Sequence, residues 1–177
     1  MKTINAETST LLLIDFQARL MPAMSGGDAT VKNARRLVDA AGLIGVPYFY
    51  TEQNPAGLGG TVEELVPGEK TVVEKMCFDA CQDPALLPKV PDSHALIVTG
   101  WEAHVCVLQT ALGLLEKGHK VFVVSDATGS RTEQNKEAGL RRMQAHGAEI
   151  VTTEMVVFEW LGSAEHPRFR EVVALIK

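Results

Sequence analysis

The sequence lacks the features of a membrane-spanning, secreted or disulfide-linked protein. No apolar run approaches the roughly 18 residues that a membrane-spanning helix needs. The N-terminal residues carry one lysine, an early Glu7 and a short LLLI run, which is too brief and too poorly flanked for a signal peptide. Three cysteines are too few, and odd in number, for a disulfide framework. These absences predict a soluble, cytoplasmic protein with no membrane partner.

Basic residues are scarce relative to acidic ones. The chain has 17 Lys and Arg against 22 Asp and Glu, so its formal net charge is −5 at pH 7. Such a chain has no basic field with which to gather phosphates, and nucleic acid is therefore not expected as a partner. The remaining composition, 46% hydrophobic and 22% charged, is ordinary for a globular protein. The length predicts a single domain over residues 1–177.

The sequence also lacks a complete nucleotide-binding motif. The stretch 57–60 (GLGG) misses the third spaced glycine of a dinucleotide fingerprint, and residues 68–71 (GEKT) lack the Gly-Lys pair of a phosphate-binding loop. Cys77 and Cys81 have no nearby partners for a zinc site, so they are interpreted as packing residues, with redox sensitivity as the alternative. We therefore expect no cofactor, and a nucleotide-binding protein is a disfavoured class.

Apolar runs of strand length alternate with segments of helical periodicity along most of the chain. Several of these runs, such as ALIV and VFVV, are continuous, which is typical of strands buried on both faces of a parallel sheet. The alternation predicts a three-layer α/β/α fold. The predicted strands are 10–14, 46–50, 71–73, 95–99, 121–124 and 150–152, and the predicted helices are 29–45, 105–117, 132–146 and 168–176.

Three reactive side chains fall near predicted strand ends: Asp15 after the first strand, Lys75 after the third, and Cys106 in the first turn of the helix after the fourth. Parallel sheets bind ligands beyond these carboxyl ends. A thiol at a helix N-terminus is expected to have a lowered pKa, and a nearby carboxylate can accept its proton. We therefore expect Cys106 to alkylate faster than Cys77 or Cys81. Taken singly, each residue also has a plainer interpretation, as a buried small residue, a strand-end cap or a surface lysine.

Three segments resemble the signature blocks of the isochorismatase-like cysteine hydrolases: TLLLIDFQ, VVEKMCF and VTGWEAHVCVLQTALGLLEKGHKVFVVSDATGSR. The loop TEQNPAGLGGTVEEL is further similar to the subgroup of small members related to animal isochorismatase-domain proteins. The resemblance implies a six-stranded parallel sheet of Rossmann-like order and a catalytic triad of Asp15, Lys75 and Cys106. It also implies a cis peptide at Trp101–Glu102, an oxyanion hole formed by the backbone N–H groups of Glu102 and Cys106, and a homo-oligomer.

The departures from the family pattern concern metal and reaction type. Metal-dependent nicotinamidases of this superfamily place Asp and His ligands after the second strand, where this chain reads TEQNPAGLGG and has no histidine. The Asp92-Ser93-His94 segment lies at the entry of the fourth strand, which is the wrong end of the sheet. We therefore expect no metal. True isochorismatases replace the nucleophilic cysteine, so the retained Cys106 disfavours vinyl-ether hydrolysis.

The resulting prediction is a metal-independent hydrolase that cleaves a C–N bond of a small amide, or a related acyl substrate, through a thioester on Cys106. We expect Phe16, Leu20 and Trp101 to line a small substrate pocket together with the loop 54–60. The apolar segment 155–161 (MVVFEWL) is expected to lie in a subunit contact. The alternative is a non-catalytic or scaffolding oligomer whose triad is intact but unused.

Overall fold

The computed structural model describes residues 3–65 and 72–177, and within them six parallel strands form one sheet of order β3-β2-β1-β4-β5-β6. This Rossmann-like order confirms the predicted fold. Thr71, the first residue of the predicted third strand, lies outside the described residues, as does the segment 68–71. The strands are β1 Ser9–Ile14, β2 Tyr48–Gln53, β3 Val72–Lys75, β4 Ala95–Trp101, β5 Val121–Gly129 and β6 Glu149–Val151.

Helices cover both faces of the sheet, as the continuous apolar strands predict. Every residue of β1 is buried, with Leu11 and Leu13 in the core on one face and Leu12 and Ile14 in the core on the other. The first core is covered by α1, α5 and α6, and the second by α3 and α4. The helices are α1 Gly27–Ile44, α2 Pro55–Leu58, α3 Cys106–Glu116, α4 Glu133–Ala145, α5 Thr153–Leu161 and α6 Phe169–Ala174.

Helix α5 contains the apolar segment 155–161. Most of its apolar side chains pack into the core beside α1, and only Met155 and Phe158 are exposed. A helix that covers a sheet must be apolar on the covered face, which explains most of this composition, and Met155 and Phe158 are left for the predicted subunit contact. The buried members are Val156, Val157, Trp160 and Leu161.

Backbone strain is concentrated at the carboxyl edge of the sheet. Among the described residues, three non-glycine residues have positive φ: Asp15 (53°), Asn54 (42°) and Glu102 (58°). They directly follow β1, β2 and β4, which are neighbours in the sheet. Because such backbone conformations cost energy and tend to persist at functional sites, this edge is where a site is expected.

The described part of the chain has no helix that is both long enough and apolar enough to cross a membrane.

Candidate active site

Asp15 and Lys75 form a buried ion pair at the carboxyl edge. The Lys75 Nζ atom lies 2.7 Å from Asp15 Oδ2, and both side chains are almost completely buried. The Thr51 hydroxyl donates a 2.6 Å hydrogen bond to Asp15 Oδ1, and Lys75 Nζ donates a second bond, of 3.2 Å, to the Cys77 carbonyl. The distance confirms the expectation that carboxylate and ammonium lie within about 4 Å of each other. Lys75 is the last residue of β3 rather than the residue after it.

Cys106 is the first residue of α3, and its thiol lies beside this ion pair. Burial raises the pKa of the Cys106 thiol, the Asp15 carboxylate raises it further, and the Lys75 ammonium opposes the rise. The predicted lowering of the pKa is therefore wrong, because loss of water around a thiolate outweighs the helix N-terminus at this site. The resting thiol is protonated. Attack by its sulfur would require a base, and the neighbouring Asp15 carboxylate is the candidate.

The other two cysteines differ from Cys106 in burial and in surroundings. Cys81 is buried, and burial together with the Asp79 carboxylate raises its pKa to about 12. Cys77 is only partly buried. Faster alkylation of Cys106 no longer follows from a low pKa, and it would depend on Asp15 acting as the base.

The turn between β4 and α3 contradicts the expected cis peptide. The Trp101–Glu102 bond is trans, and the chain reverses instead through the left-handed conformation of Glu102. The Glu102 carbonyl accepts hydrogen bonds from the N–H groups of Val105 (2.8 Å) and Val107 (3.4 Å), which fixes the turn before Cys106. The oxyanion-hole role of the Glu102 N–H depended on the cis bond and loses its basis. The Cys106 N–H, at the start of α3, remains a candidate donor.

The side chain of Glu102 belongs to a polar cluster that sequence reasoning missed. Its Oε1 atom lies 2.9 Å from Arg131 Nε, and its Oε2 atom lies 3.4 Å from His104 Nδ1. The same His104 nitrogen hydrogen bonds the Ser130 hydroxyl at 3.1 Å. The sequence contained one signal for it: Glu102 directly follows a buried strand and lies four residues before Cys106.

The predicted pocket residues do not surround Cys106. Phe16 and Trp101 are fully buried, their rings pack 5.1 Å apart, and the Trp101 indole N–H donates a 2.9 Å hydrogen bond to Thr30 on α1. Leu20 is half-buried against the same core. That core lies on the α1 face of the sheet, whereas Cys106 lies on the α3 face. The pocket prediction is wrong for Phe16 and Trp101, because a strand-end side chain can point to either face.

Two segments do border the site. The Asn54 N–H donates a 2.8 Å hydrogen bond to the Lys75 carbonyl, so the loop 54–60 is fixed directly to β3. After Lys75 the chain turns through Met76 and Phe78, whose large apolar side chains are exposed on either side of Cys77. These exposed apolar side chains closely follow Lys75 in sequence, which makes them candidates for contact with a ligand.

Gly139 on α4 packs against the turn that precedes Cys106. Replacement of Gly139 by a larger residue is expected to displace this turn. A Cβ atom at Gly139 would lie 2.6 Å from the Ala103 carbonyl oxygen, whereas one at Gly42 on α1 would meet nothing within 4 Å. Gly139→Ala should therefore lower the free energy of unfolding by about 1–3 kcal/mol. Gly42→Ala, the matched control, should raise it by up to about 1 kcal/mol. Urea unfolding measures both, and equal effects would contradict the close packing.

The family comparison covers the part of the chain that carries Asp15, Lys75 and Cys106. The Isochorismatase domain model matches residues 9–155. Isochorismatase domain-containing protein 1 of Danio rerio is 34% identical over 177 residues, covering 98% of this chain and 62% of its own length. This chain belongs to the isochorismatase family of hydrolases. It spans about three fifths of the length of that relative.

Solved structures of relatives have the same fold. The MAR1 ribonuclease from Caenorhabditis elegans superimposes with a TM-score of 0.91 at 36% identity, covering 98% of this chain and 92% of that one. The YcaC gene product from Escherichia coli, described as an octameric hydrolase of unknown specificity, gives a TM-score of 0.82 at 25% identity, with 99% and 88% coverage. These similarities extend over nearly the whole chain and support the fold described above.

Proposed function

We propose that this protein hydrolyses a small amide, or a related acyl compound, through a thioester on Cys106. The observation that carries the proposal is the buried 2.7 Å pair of Asp15 and Lys75 beside the Cys106 thiol. A protonated, buried thiol needs a nearby base in its deprotonated form. A carboxylate paired with an ammonium group meets that need, because the ammonium charge stabilises the ionised carboxylate.

In the first half-reaction Asp15 takes the Cys106 proton while the sulfur attacks the carbonyl carbon. The oxyanion that forms accepts a hydrogen bond from the Cys106 N–H, a type of contact whose loss costs roughly 3 kcal/mol in hydrolases. The C–N bond then breaks, Asp15 returns the proton to the departing nitrogen, and the acyl group remains on sulfur. In the second half, Asp15 deprotonates a water molecule that attacks the thioester, which releases the acid and restores the thiol.

Turnover of acetamide, butyramide, benzamide and nicotinamide, followed as ammonia release, tests this proposal. We expect at least one amide to react, and we expect added hydroxylamine to divert part of its acyl product to the hydroxamate, because a thioester is attacked by either nucleophile. Failure of Cys106 to react with any of these compounds would contradict the proposal and favour the non-catalytic, scaffolding alternative.

Ribonuclease activity is the second candidate, raised by the name of the C. elegans structure. The net charge of −5 gives the chain no general attraction for RNA. The sulfur of Cys106 is also buried, whereas an RNA strand needs an open groove. RNA turnover that survives Cys106→Ala would show that the proposed site is not responsible. Turnover that is lost in this variant would overturn the amidase assignment.

The proposed reaction requires no metal. No group of three or more His, Cys, Asp or Glu side chains suited to a metal occurs among residues 3–65 and 72–177, and the loop 54–60 contains no histidine. We expect amide turnover to be unchanged after dialysis against a chelator, with less than stoichiometric zinc by elemental analysis. Loss of turnover that zinc restores would contradict this prediction.

We further infer self-association, which the octameric state of the E. coli relative supports. Among residues 3–65 and 72–177, four large apolar side chains are exposed: Met76, Phe78, Met155 and Phe158. Because a homo-oligomer would cover part of this apolar surface, we expect sedimentation at micromolar concentration to show a species larger than the monomer. A monomer under these conditions would contradict the inference.

A further inference from the structure

One carboxylate oxygen near Cys106 is buried and has no hydrogen-bond partner among the described residues: Oε2 of Glu102. The other oxygen, Oε1, is held by Arg131. The nearest candidate donor for Oε2 is His104 Nδ1 at 3.4 Å, but that nitrogen hydrogen bonds the Ser130 hydroxyl instead. A buried acceptor without a donor is destabilising, and a charged one is more so. A ligand that brings an N–H group would relieve this destabilisation.

Glu102 lies in the turn that leads into Cys106, where its carbonyl accepts hydrogen bonds from the N–H groups of Val105 and Val107. The charge of its carboxylate is among those that raise the pKa of the Cys106 thiol, after the stronger effects of burial and Asp15. The exposed fraction is 0% for Asp15 and 2% for Lys75, against 6% for Cys106 and 9% for Glu102. Of these four residues, Cys106 and Glu102 therefore keep most of the remaining contact with solvent.

The cluster does not form a second hydrolytic triad. In a Ser-His-acid triad, one ring nitrogen of the histidine faces the hydroxyl and the other faces the carboxylate. Here the same nitrogen, His104 Nδ1, faces both Ser130 and Glu102. The Ser130 hydroxyl therefore has no histidine base oriented by Glu102, and the cluster fits ligand binding better than nucleophilic chemistry.

We propose that Glu102 Oε2 accepts a hydrogen bond from the N–H₂ group of a primary amide and thereby selects amides over esters. The inference rests on the proposed function and adds a substrate class to it. A carboxylate oxygen accepts but never donates, so it attracts an amide nitrogen and repels the alkoxy oxygen of the matching ester. Sites built around such a contact discriminate strongly against analogues without the donor, because a buried group is then left unpaired. Arg131, bonded to Oε1, fixes the orientation of the carboxylate.

The test compares a primary amide with the methyl ester of the same acid. Benzamide and methyl benzoate form the same benzoyl thioester, and so do the corresponding pairs of the other acyl groups, so the ratio of their kcat/KM values reports acylation alone. We expect Glu102→Gln to lower the amide-to-ester ratio by about 10-fold or more, since the side-chain amide can keep its oxygen on Arg131 and presents an N–H₂ group to the substrate. Glu133→Gln, at an exposed glutamate in the first turn of α4, is the matched control and should leave the ratio unchanged.

A second comparison needs only the wild-type enzyme, which keeps the proposal testable if Glu102→Gln fails to fold. The N,N-dimethylamide of the same acid has no N–H group, and we expect its kcat/KM to fall at least 10-fold below that of the primary amide after correction for their rates of alkaline hydrolysis. Equal loss of amide and ester turnover in Glu102→Gln, or an unchanged ratio, would overturn the assignment of Glu102 while leaving the thioester mechanism intact. No acylation of wild-type Cys106 by either compound would overturn the proposed function itself, and this inference with it.

Discussion

Replacement of Cys106 by alanine is expected to reduce amide turnover by roughly 10³-fold or more, to the level of the uncatalysed reaction. The expectation follows from the role of the sulfur as the atom that bonds to the acyl carbon, because Asp15 and Lys75 have no nucleophile to activate once it is removed. The measurement is ammonia release from the fastest amide, made on variant and wild type at equal concentration.

Cys81→Ala is the matched control for this experiment. Cys81 is also buried on the α3 face of the sheet, where its sulfur lies 3.8 Å from the Thr110 carbonyl oxygen of α3, but it takes no part in the proposed chemistry. Both substitutions remove one sulfur atom from the same core, so both should give similar circular dichroism spectra and small losses of stability. Equal activity in Cys106→Ala and Cys81→Ala would exclude Cys106 as the nucleophile.

The second large effect concerns stability. Lys75→Met is expected to lower the free energy of unfolding by about 3–5 kcal/mol, because it leaves the Asp15 carboxylate buried without its partner cation. The Thr51 hydroxyl still donates to this carboxylate, but one neutral donor does not replace an ammonium group. Urea unfolding measures the loss. Lys89→Met, at an exposed lysine, should change stability by less than about 0.5 kcal/mol.

The double variant separates the ion pair from the packing of the lysine side chain. Asp15→Asn combined with Lys75→Met removes both charges and should be more stable than Lys75→Met alone, since no unpaired charge remains buried. If the two single changes add without coupling, the 2.7 Å pair contributes nothing specific to folding, and the account of a held, charged base at Asp15 is wrong.

The parts of the structure that the sequence predicts are those set by local pattern. The continuous apolar runs of β1, β4 and β5 predict strands covered on both faces, and the resemblance implies the strand order that brings Asp15 and Lys75 together. The pair forms because both residues end parallel strands at one edge. Such inferences need no knowledge of side-chain packing.

The failures concern properties that tertiary packing decides. Phe16 lies just after β1 and Trp101 is the last residue of β4, but the face to which each side chain points depends on the local backbone. Phe16 follows the left-handed Asp15, and Trp101 precedes the left-handed Glu102. The pKa of Cys106 depends on burial by surrounding helices, which no short motif encodes. Glu102 Oε2 is left without a partner because Arg131 holds the other carboxylate oxygen and Ser130 hydrogen bonds His104. Both Arg131 and Ser130 follow a different strand, β5.

Intact-protein mass spectrometry of the acid-quenched reaction tests the central claim most directly. During turnover of an amide, the wild-type protein should gain the mass of the acyl group minus one hydrogen, and peptide mapping should place the adduct on Cys106. Hydroxylamine should remove the adduct, and the Cys106→Ala variant should form none. Turnover without any adduct, under conditions that trap thioesters in other cysteine hydrolases, or an adduct on Cys77 or Cys81 alone, would contradict the mechanism.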